Sequence, residues 1–381
     1  MHKKIWFKVH WFLGITAGII LLVVGTTGAI LSFEKEILKA INKDSYIVQV
    51  PDYSKLTTPE LLTKFKEKFP KSKINGITFF NNQDSSVIIN VAGKGSGKAA
   101  RRGVNYFVNP YDATILPNLV GKDFFRFVLR LHRWLALPGD AREIGKQTVA
   151  ISTISLIVLI ISAIIIYWGR IKHAFFKSFT FKFKHKGRAF LSTMHSAVGM
   201  WVIPLYLLAS LTGLYWSYDW YRTGLYVISG VEKPVRGKRG EKPSNENKIT
   251  LTQDDMFAQH DIAINTFKNV VGTNYSKASL RFPSFGTVYD FHYYDYKPAH
   301  FRAVNDLEID IKTGNIVKHE KYEDKPLNEK LMKSILPLHT GEYFGVIGQT
   351  LMFIAAALMS LFTITGFMLY INRKNKKKKR V

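Results

Sequence analysis

Four histidines occupy matching places in the two halves of this chain. His10 and His195 each begin the pattern H-x3-G-x13-G, and in both copies a threonine precedes the last glycine. His132 and His339 each follow a leucine, in LHRWL and LHTGE, shortly before a long apolar run. Because imidazole is a common metal ligand and titrates near neutral pH, these two equivalent pairs are the first candidates for chemistry.

The segments that accompany these histidines are long and apolar. Four runs contain no Asp, Glu, Lys or Arg, and they cover residues 9–33, 147–169, 189–218 and 343–372. An α-helix needs about 20 apolar residues to cross the hydrocarbon core of a bilayer. The sequence therefore predicts a membrane α-helical protein with four transmembrane helices in two internal repeats.

The distribution of charge predicts the orientation. The formal net charge is +26, and three segments that flank apolar runs contain Lys and Arg but no Asp or Glu, namely residues 1–8, 170–188 and 373–381. The positive-inside rule places these segments and both termini in the cytoplasm, where they contact anionic membrane lipid. This segregation argues against nucleic acid as the partner of the basic residues.

Two long segments, residues 34–146 and 219–342, then lie outside. In the first, Thr58 is predicted as the N-cap of a helix with Pro59 at its first position, and short β-rich runs follow. The second has a flexible linker over 231–248, a helix that starts at Thr252, and further β-rich runs. Each segment is predicted to form a small α+β domain, with one helix on a small antiparallel sheet.

This topology brings the histidines to common depths. His10 and His195 lie near the cytoplasmic ends of the first and third apolar runs, whereas His132 and His339 lie at the outer face. Two imidazoles from different helices at one level are what a bis-histidine haem requires. Two pairs at opposite faces therefore predict two haems and a route for electrons across the membrane.

Glycines accompany the histidines in the first apolar run. On a straight helix, Gly14, Gly18, Gly25 and Gly28 share a face with His10. Such a groove admits the edge of a flat macrocycle, but small residues also let membrane helices pack closely, so both interpretations stand. A histidine near a helix end can also sit at the headgroup level without any ligand.

Other site chemistries fit less well. The chain has no cysteine, which excludes disulfides and thiolate ligands. Zinc needs three or four ligands and a proton relay needs further acidic groups, and neither is predicted near the histidines. The glycine-rich loop at residues 93–103 has alanine at two positions where a P-loop requires other residues, so it is interpreted as a basic hairpin loop. Arg130 and Arg133 are candidates either for haem propionates or for the membrane interface.

Together the motifs resemble the PepSY-associated transmembrane family, which includes the FoxB-type siderophore-iron reductases. The resemblance rests on HWFLGITAG…TTGAILSF, LHRWL, MHSAVG…LTGLYW and PLHTGEYFG, and on outer segments ending in NPYDATIL and DIKTGNIV. It implies a four-helix protein of the bacterial inner membrane with two periplasmic PepSY domains. It also implies haem b with His10, His132, His195 and His339 as axial ligands of the iron.

The leading functional hypothesis, which the resemblance implies, is a haem-dependent oxidoreductase that reduces a periplasmic ferric siderophore for iron uptake. Outer-sphere electron transfer needs no protein acid or base, so no catalytic residue is predicted. Residues 34–146 contain 19 basic and 11 acidic residues, which suits an anionic chelate. Some relatives carry a flavin domain where this chain ends in RKNKKKKRV, so a separate electron donor is expected. The alternative is a non-enzymatic membrane-anchored scaffold or regulator that binds a periplasmic protein or peptide.

Overall fold

The computed structural model describes residues 2–93, 103–234, 253–283 and 287–378, which form two compact units. The membrane unit comprises Met1–Lys35, Gly121–Glu232 and Ser334–Val381. The sheet unit comprises Glu36–Val120 and Lys233–Lys333.

The chain alternates between long helices and short strands. In chain order the helices are α1 (His2–Thr16), α2 (Gly18–Ser32), α3 (Glu34–Ile41), α4 (Lys43–Tyr46), α5 (Thr58–Lys68), α6 (Lys122–Trp134), α7 (Ala141–His173), α8 (Gly187–Ser217), α9 (Asp219–Ser229), α10 (Gln253–Val271), α11 (Leu327–Lys333), α12 (Ile335–Thr340) and α13 (Gly345–Lys378). The strands are β1 (Ile74–Phe80), β2 (Val87–Val91), β3 (Val104–Val108), β4 (Tyr275–Arg281), β5 (Val288–Asp295), β6 (Asn305–Asp310) and β7 (Ile316–Glu320).

Three helices of the membrane unit, α7, α8 and α13, are long and apolar enough to cross a bilayer. Helix α7 contains the second predicted apolar run, and α8 and α13 cover all but one or two end residues of the third and fourth. Helices α1 and α2 pass the same test together, and they make a fourth span if the pair crosses as one broken helix. These helices confirm the prediction of a membrane α-helical protein.

The first predicted span is not one helix. Helices α1 and α2 meet at Ala17 with a bend of 61°. The Thr16 hydroxyl donates a hydrogen bond to the carbonyl oxygen of Phe12 at 2.9 Å, a back-bond that often bends helices, and Gly18 follows directly. The prediction that His10 and Gly28 share one face of a straight helix is therefore wrong.

Close helix packing holds the membrane unit together. A Cβ atom added to Gly25 of α2 would lie 2.8 Å from the carbonyl oxygen of Ala356 in α13, so glycine lets these two backbones approach. The Thr363 hydroxyl donates to the carbonyl oxygen of Gly18 at 3.2 Å across the same contact. Helix α1 packs on α7, and α8 packs on both α7 and α13. This arrangement positions residues of α1, α7, α8 and α13 next to one another.

In the described residues of the sheet unit, seven strands form one antiparallel sheet in the order β3-β2-β1-β4-β5-β6-β7. Its centre is the antiparallel pair β1 and β4, in which Thr78 lies opposite Ser279. Helices α5 and α10 contribute Leu62, Phe65 and Phe267 to the buried core beneath the strands. The alternation of buried and partly exposed positions along β2 and β6 is that of a sheet with one covered face.

This sheet differs from the two separate domains predicted from the sequence. Each predicted domain does supply a helix and strands, but β1 and β4 join them into one sheet and one core. The boundaries also differ, because residues 121–146, 219–232 and 334–342 of the predicted outer segments belong to the membrane unit.

Two local predictions in the sheet unit have different outcomes. The N-cap of α5 is Thr57 rather than Thr58, because Thr57 and Glu60 form a capping box. The predicted helix start at Thr252 lies outside the described residues, as do residues 94–102 of the predicted hairpin loop and 235–248 of the linker.

Candidate functional site: two histidine pairs

The structure places His10 of α1 beside His195 of α8. The centroids of the two imidazole rings are 6.4 Å apart, and the ring planes are inclined by 78°. Both side chains are only partly buried, so each ring keeps some accessible surface. We call this the inner pair.

Neighbouring helices hold both rings of the inner pair through Nδ1. His10 Nδ1 lies 2.8 Å from the hydroxyl oxygen of Ser162 and 3.2 Å from the carbonyl oxygen of Leu159, both on α7. His195 Nδ1 lies 2.7 Å from the hydroxyl oxygen of Thr365 on α13. Each ring is therefore positioned by a helix other than its own.

The structure also places His132 of α6 beside His339 of α12. Their ring centroids are 6.3 Å apart, with the planes inclined by 67°. Both rings are again partly buried, and the indole of Trp216 lies 5.5 Å from the ring of His339. We call this the outer pair.

The outer pair is held by two corresponding sets of backbone and hydroxyl oxygens. His132 Nδ1 lies 3.0 Å from the carbonyl oxygen of Val24 and 3.1 Å from the hydroxyl oxygen of Thr27, both on α2. His339 Nδ1 lies 3.1 Å from the carbonyl oxygen of Ala209 and 3.0 Å from the hydroxyl oxygen of Thr212, both on α8. Corresponding turns of α2 and α8 thus hold the two rings in the same way.

These contacts define the tautomer of all four histidines. A carbonyl oxygen can only accept, so Nδ1 of His10, His132 and His339 carries the proton and donates it. For His195, the Thr365 hydroxyl donates to the carbonyl oxygen of Leu361 at 2.7 Å, so its oxygen accepts from Nδ1. The lone pair of each ring is therefore on Nε2, which is the state in which imidazole binds a metal.

The glycines divide into two groups with different neighbours. A Cβ atom at Gly28 or Gly213 would lie 3.3 Å from Cε1 of His132 or His339, so these two glycines make room for the outer rings. Gly18 and Gly25 face α13 instead, which is the helix-packing interpretation. The prediction that these glycines form a groove beside His10 is therefore wrong. Gly28 and Gly213 instead make room for the rings of the outer pair.

The sequence as a whole matches a known family. The family described as the PepSY-associated TM region matches residues 7–373, which is nearly the entire chain. The chain belongs to this family. No curated protein matches it at a significant level. Membership agrees with the apolar helices of the membrane unit and confirms the resemblance drawn from the sequence motifs.

The spacing of this family member's histidine pairs suits a metal bound between them. With metal–nitrogen bonds of about 2 Å, two imidazoles on opposite sides of one metal have their ring centroids about 6 Å apart. The centroid distances of 6.4 Å and 6.3 Å are close to that value. Within the described ranges no three His, Asp or Glu side chains form a metal-binding group, so the donor set at each site is two imidazoles. Zinc needs three or four ligands, so two imidazoles alone would hold a haem better than a zinc ion.

The two arginines considered for the outer site lie on α6 with His132. The guanidinium of Arg133 is 5.5 Å from the ring of Trp134, and that of Arg130 is 5.9 Å from the ring of Phe127. Both groups therefore have aromatic neighbours on their own helix, as expected at a membrane interface. Their role toward a haem propionate stays a prediction.

Histidines of the sheet unit have different surroundings. His260 of α10 is fully buried and stacks on Phe282 with the ring centroids 4.2 Å apart, and burial lowers its pKa to about 3. His292 Nδ1 donates to Asp306 at 2.6 Å, and His319 Nε2 lies 2.7 Å from the Tyr293 hydroxyl. Helix α10 therefore carries His260 into the core.

Sequence reasoning missed Ser162 and Thr365, the hydroxyl partners of the inner pair. Serine and threonine in an apolar helix commonly bond to the preceding turn, so they look like packing residues. A signal was present for Thr27 and Thr212, because both precede the last glycine of the repeated pattern. That signal pointed to the right residues without showing which histidine they contact.

Proposed function

We propose that this protein is a di-haem b oxidoreductase of the bacterial inner membrane. The observation that carries the proposal is the common state of the four histidines, with two pairs at metal-bridging distance and Nδ1 hydrogen-bonded in every ring. When bound, haem iron supplies one-electron redox chemistry at each pair. Family membership supports the proposal at the level of a PepSY-associated membrane protein.

The residues of the chain would act mainly by orientation. Ser162 and Thr365 at the inner pair, and Thr27 and Thr212 at the outer pair, hold the Nδ1 proton and so keep the Nε2 lone pair available. Phe362, 5.2 Å from the ring of His195, and Trp216, beside His339, limit the access of water to one ring of each pair. No general acid or base takes part.

We propose that α1 with α2, α7, α8 and α13 are four spans in two repeats, with both termini in the cytoplasm. The acid-free basic segments at residues 1–8, 170–188 and 373–381 support this orientation. It places the inner pair toward the cytoplasm, the outer pair toward the periplasm, and the PepSY-like sheet unit in the periplasm. Electrons would then pass outward from a donor on the cytoplasmic side.

The proposed acceptor is a ferric siderophore. Residues 36–120, the part of the first outer segment that belongs to the sheet unit, contain 12 basic and 7 acidic residues. This excess supports an anionic iron chelate, because a positive surface attracts it over a long range. Outer-sphere reduction requires approach rather than a catalytic side chain. The chain would therefore be an enzyme whose substrate contacts lie on the periplasmic side.

The cofactor is tested by the visible spectrum of the purified full chain before and after reduction with dithionite. We expect the bands of low-spin b-type haem, with about two haems per chain by pyridine haemochrome assay. The single variants His10→Ala, His132→Ala, His195→Ala and His339→Ala should each remove or alter one of the two centres. His173→Ala, an exposed histidine at the end of α7, is the control and should leave both centres intact.

A protein without haem would overturn the proposal and favour the scaffold that binds a periplasmic protein or peptide. Spectra unchanged in all four variants would contradict the assignment of these histidines as ligands, but not the presence of haem. The substrate is tested separately, by mixing the dithionite-reduced protein with a ferric siderophore and following haem oxidation. Reduced haem that persists beside several ferric chelates would exclude the proposed acceptor and leave the cofactor in place.

A further inference from the structure

An apolar groove of about 460 Å³ lies between α7 and α8, away from the residues that contact the histidines. Trp168 and Ile171 of α7 form one wall, and Met200 and Trp201 of α8 form the other. The two tryptophans are 53% and 66% exposed, although both lie on helices that are apolar enough to cross a bilayer. The groove is therefore open to the surroundings of the membrane unit.

The chain after α7 folds back to complete this groove. It is lined by Phe175, which precedes a 3-10 turn over Phe176–Phe179, and by Phe179, the last residue of that turn. The Trp201 indole Nε1 donates to the carbonyl oxygen of Phe179 at 3.0 Å, and the two rings lie 5.2 Å apart. The Arg170 guanidinium donates to the carbonyl oxygen of Lys177 at 2.6 Å. These bonds fasten the turn to α7 and α8, so the groove is a formed feature of the fold.

The lining of the groove selects for hydrocarbon. It consists of aliphatic and aromatic side chains, and the described lining residues include two indole N–H groups, those of Trp168 and Trp201. The Trp201 N–H is already donated to the carbonyl oxygen of Phe179, and an indole N–H can only donate, so neither can accept a proton from a hydroxyl group. A redox-active quinol would need a partner for its hydroxyl groups in such a place, because an unpaired polar group is costly in an apolar environment. An acyl chain needs no such partner. The lining therefore favours a lipid tail.

The segment that completes the groove is strongly basic. Residues 170–188 contain seven Lys and Arg residues and no Asp or Glu. Lys172 stands on the last turn of α7, and Lys177 stands within the 3-10 turn. Basic groups beside an apolar cleft attract anionic lipid headgroups and discriminate against zwitterionic ones. An apolar cleft and a basic mouth on the same short segment match the two ends of one molecule.

We propose that this groove is a binding site for an anionic phospholipid of the bilayer. One acyl chain lies between Trp168 and Trp201, and the phosphate group lies at Lys172 and Lys177. The lipid packs against the turn that Trp201 fastens and ties it to the two helices. This site is independent of the histidine pairs and of any cofactor.

Native mass spectrometry of the delipidated full chain tests the proposal. Phosphatidylglycerol and phosphatidylcholine with identical acyl chains are added in separate titrations, and retained lipid is counted. We expect one phosphatidylglycerol to bind about tenfold more tightly than phosphatidylcholine. The double variant Lys172→Gln with Lys177→Gln should abolish that preference, whereas Arg373→Gln with Lys374→Gln at the exposed end of α13 should preserve it.

The groove itself is tested by two variants on opposite walls, Trp201→Ala and Ile171→Ala. Each should weaken the binding of both lipids. Gel filtration and helical circular dichroism, which need no cofactor, show whether each variant folds, and the second variant serves if the first does not. Equal binding of the two lipids, or equal loss of binding in the Arg373 and Lys374 control, would overturn the proposal. Displacement of bound lipid by a stoichiometric naphthoquinone would do so too, by showing that the groove prefers a quinone ring.

Discussion

Histidines with little exposed surface occur in both compact units, but the buried His300 of the sheet unit uses its ring nitrogens differently from the four paired rings. In the sheet unit, the backbone N–H of Arg302 donates to Nδ1 of His300, so the proton of that ring is on Nε2, 3.0 Å from the Tyr322 hydroxyl. Both nitrogens of His300 thus serve the fold. In the membrane unit the four paired rings donate through Nδ1 and keep the Nε2 lone pair. Burial alone therefore does not set the proposed ligands apart from His300, whereas the tautomer does.

The two histidine pairs also differ from each other. Each outer ring has a carbonyl and a threonine hydroxyl for its Nδ1, and a glycine beside it. In the inner pair, His10 also has a carbonyl and a hydroxyl, whereas His195 Nδ1 is held by the Thr365 hydroxyl. The outer rings and His10 are therefore held by duplicate contacts, and the inner pair depends on the single contact at His195.

The largest effect is expected for Thr365→Val, because it removes the hydroxyl that holds Nδ1 of His195. Loss of such a partner typically costs 10–100-fold in metal affinity, and we expect inner haem retention to fall by about that factor. Thr212→Val is the matched variant at the outer pair, and it should cost less because the Ala209 carbonyl still accepts from His339. Haem titration of the two purified variants measures the difference. Equal losses of haem affinity in the two variants would show that the Ala209 carbonyl does not help to retain the outer haem.

Many features of the candidate site were predictable from the sequence. Long apolar runs predict helices whatever their neighbours are, and the repeated spacing around His10 and His195 indicated which histidines correspond. The level of each histidine followed from its distance to the ends of the runs. The structure brings together the two predicted pairs, although their role as haem ligands stays a prediction.

The rest depended on contacts between residues far apart in the chain. Thr78 of β1 lies opposite Ser279 of β4. Because nothing in the sequence near either residue shows that their strands pair, the sequence predicts two sheets where the structure has one. Thr57 and Thr58 are both acceptable caps, and only the bond to Glu60 distinguishes them. The bend at Ala17 depends on a back-bond from Thr16 that many membrane threonines make without a sharp bend.

The sheet unit offers the next largest effect, through pH. The pKa of His260 is lowered by burial to about 3, so the folded state keeps this ring neutral, whereas the unfolded chain takes up a proton below about pH 6.5. The contribution of the neutral His260 ring to the free energy of unfolding is therefore fully present above pH 6.5, and it is lost as the pH falls toward 3. Between pH 7.5 and 5.5 the loss should be about 1.4 kcal/mol.

Pulse proteolysis of the full chain in urea measures this loss, if the fragments followed are those of the sheet unit. His260→Leu should remove most of the pH dependence, and His173→Leu, at the exposed end of α7, should not. A wild-type slope that persists in His260→Leu would assign the acid sensitivity to another group. In that case the neutral core histidine would no longer contrast with the paired rings of the membrane unit.

The smallest effect separates the glycines of the two histidine pairs. Alanine at Gly213 places a Cβ atom 3.3 Å from Cε1 of His339, so the ring must move by a few tenths of an ångström, whereas at Gly199 the nearest atom is 3.8 Å away on Phe362. Overpacking costs about 1 kcal/mol or more, but alanine recovers about 0.5–1 kcal/mol of helix propensity. We therefore expect Gly213→Ala to weaken the outer haem by about fivefold or less, and Gly199→Ala to leave the inner haem unchanged. Haem titration and the low-spin electron paramagnetic resonance signal of each variant measure this, and a larger effect at Gly199 would reverse the assignment of glycine to the outer pair.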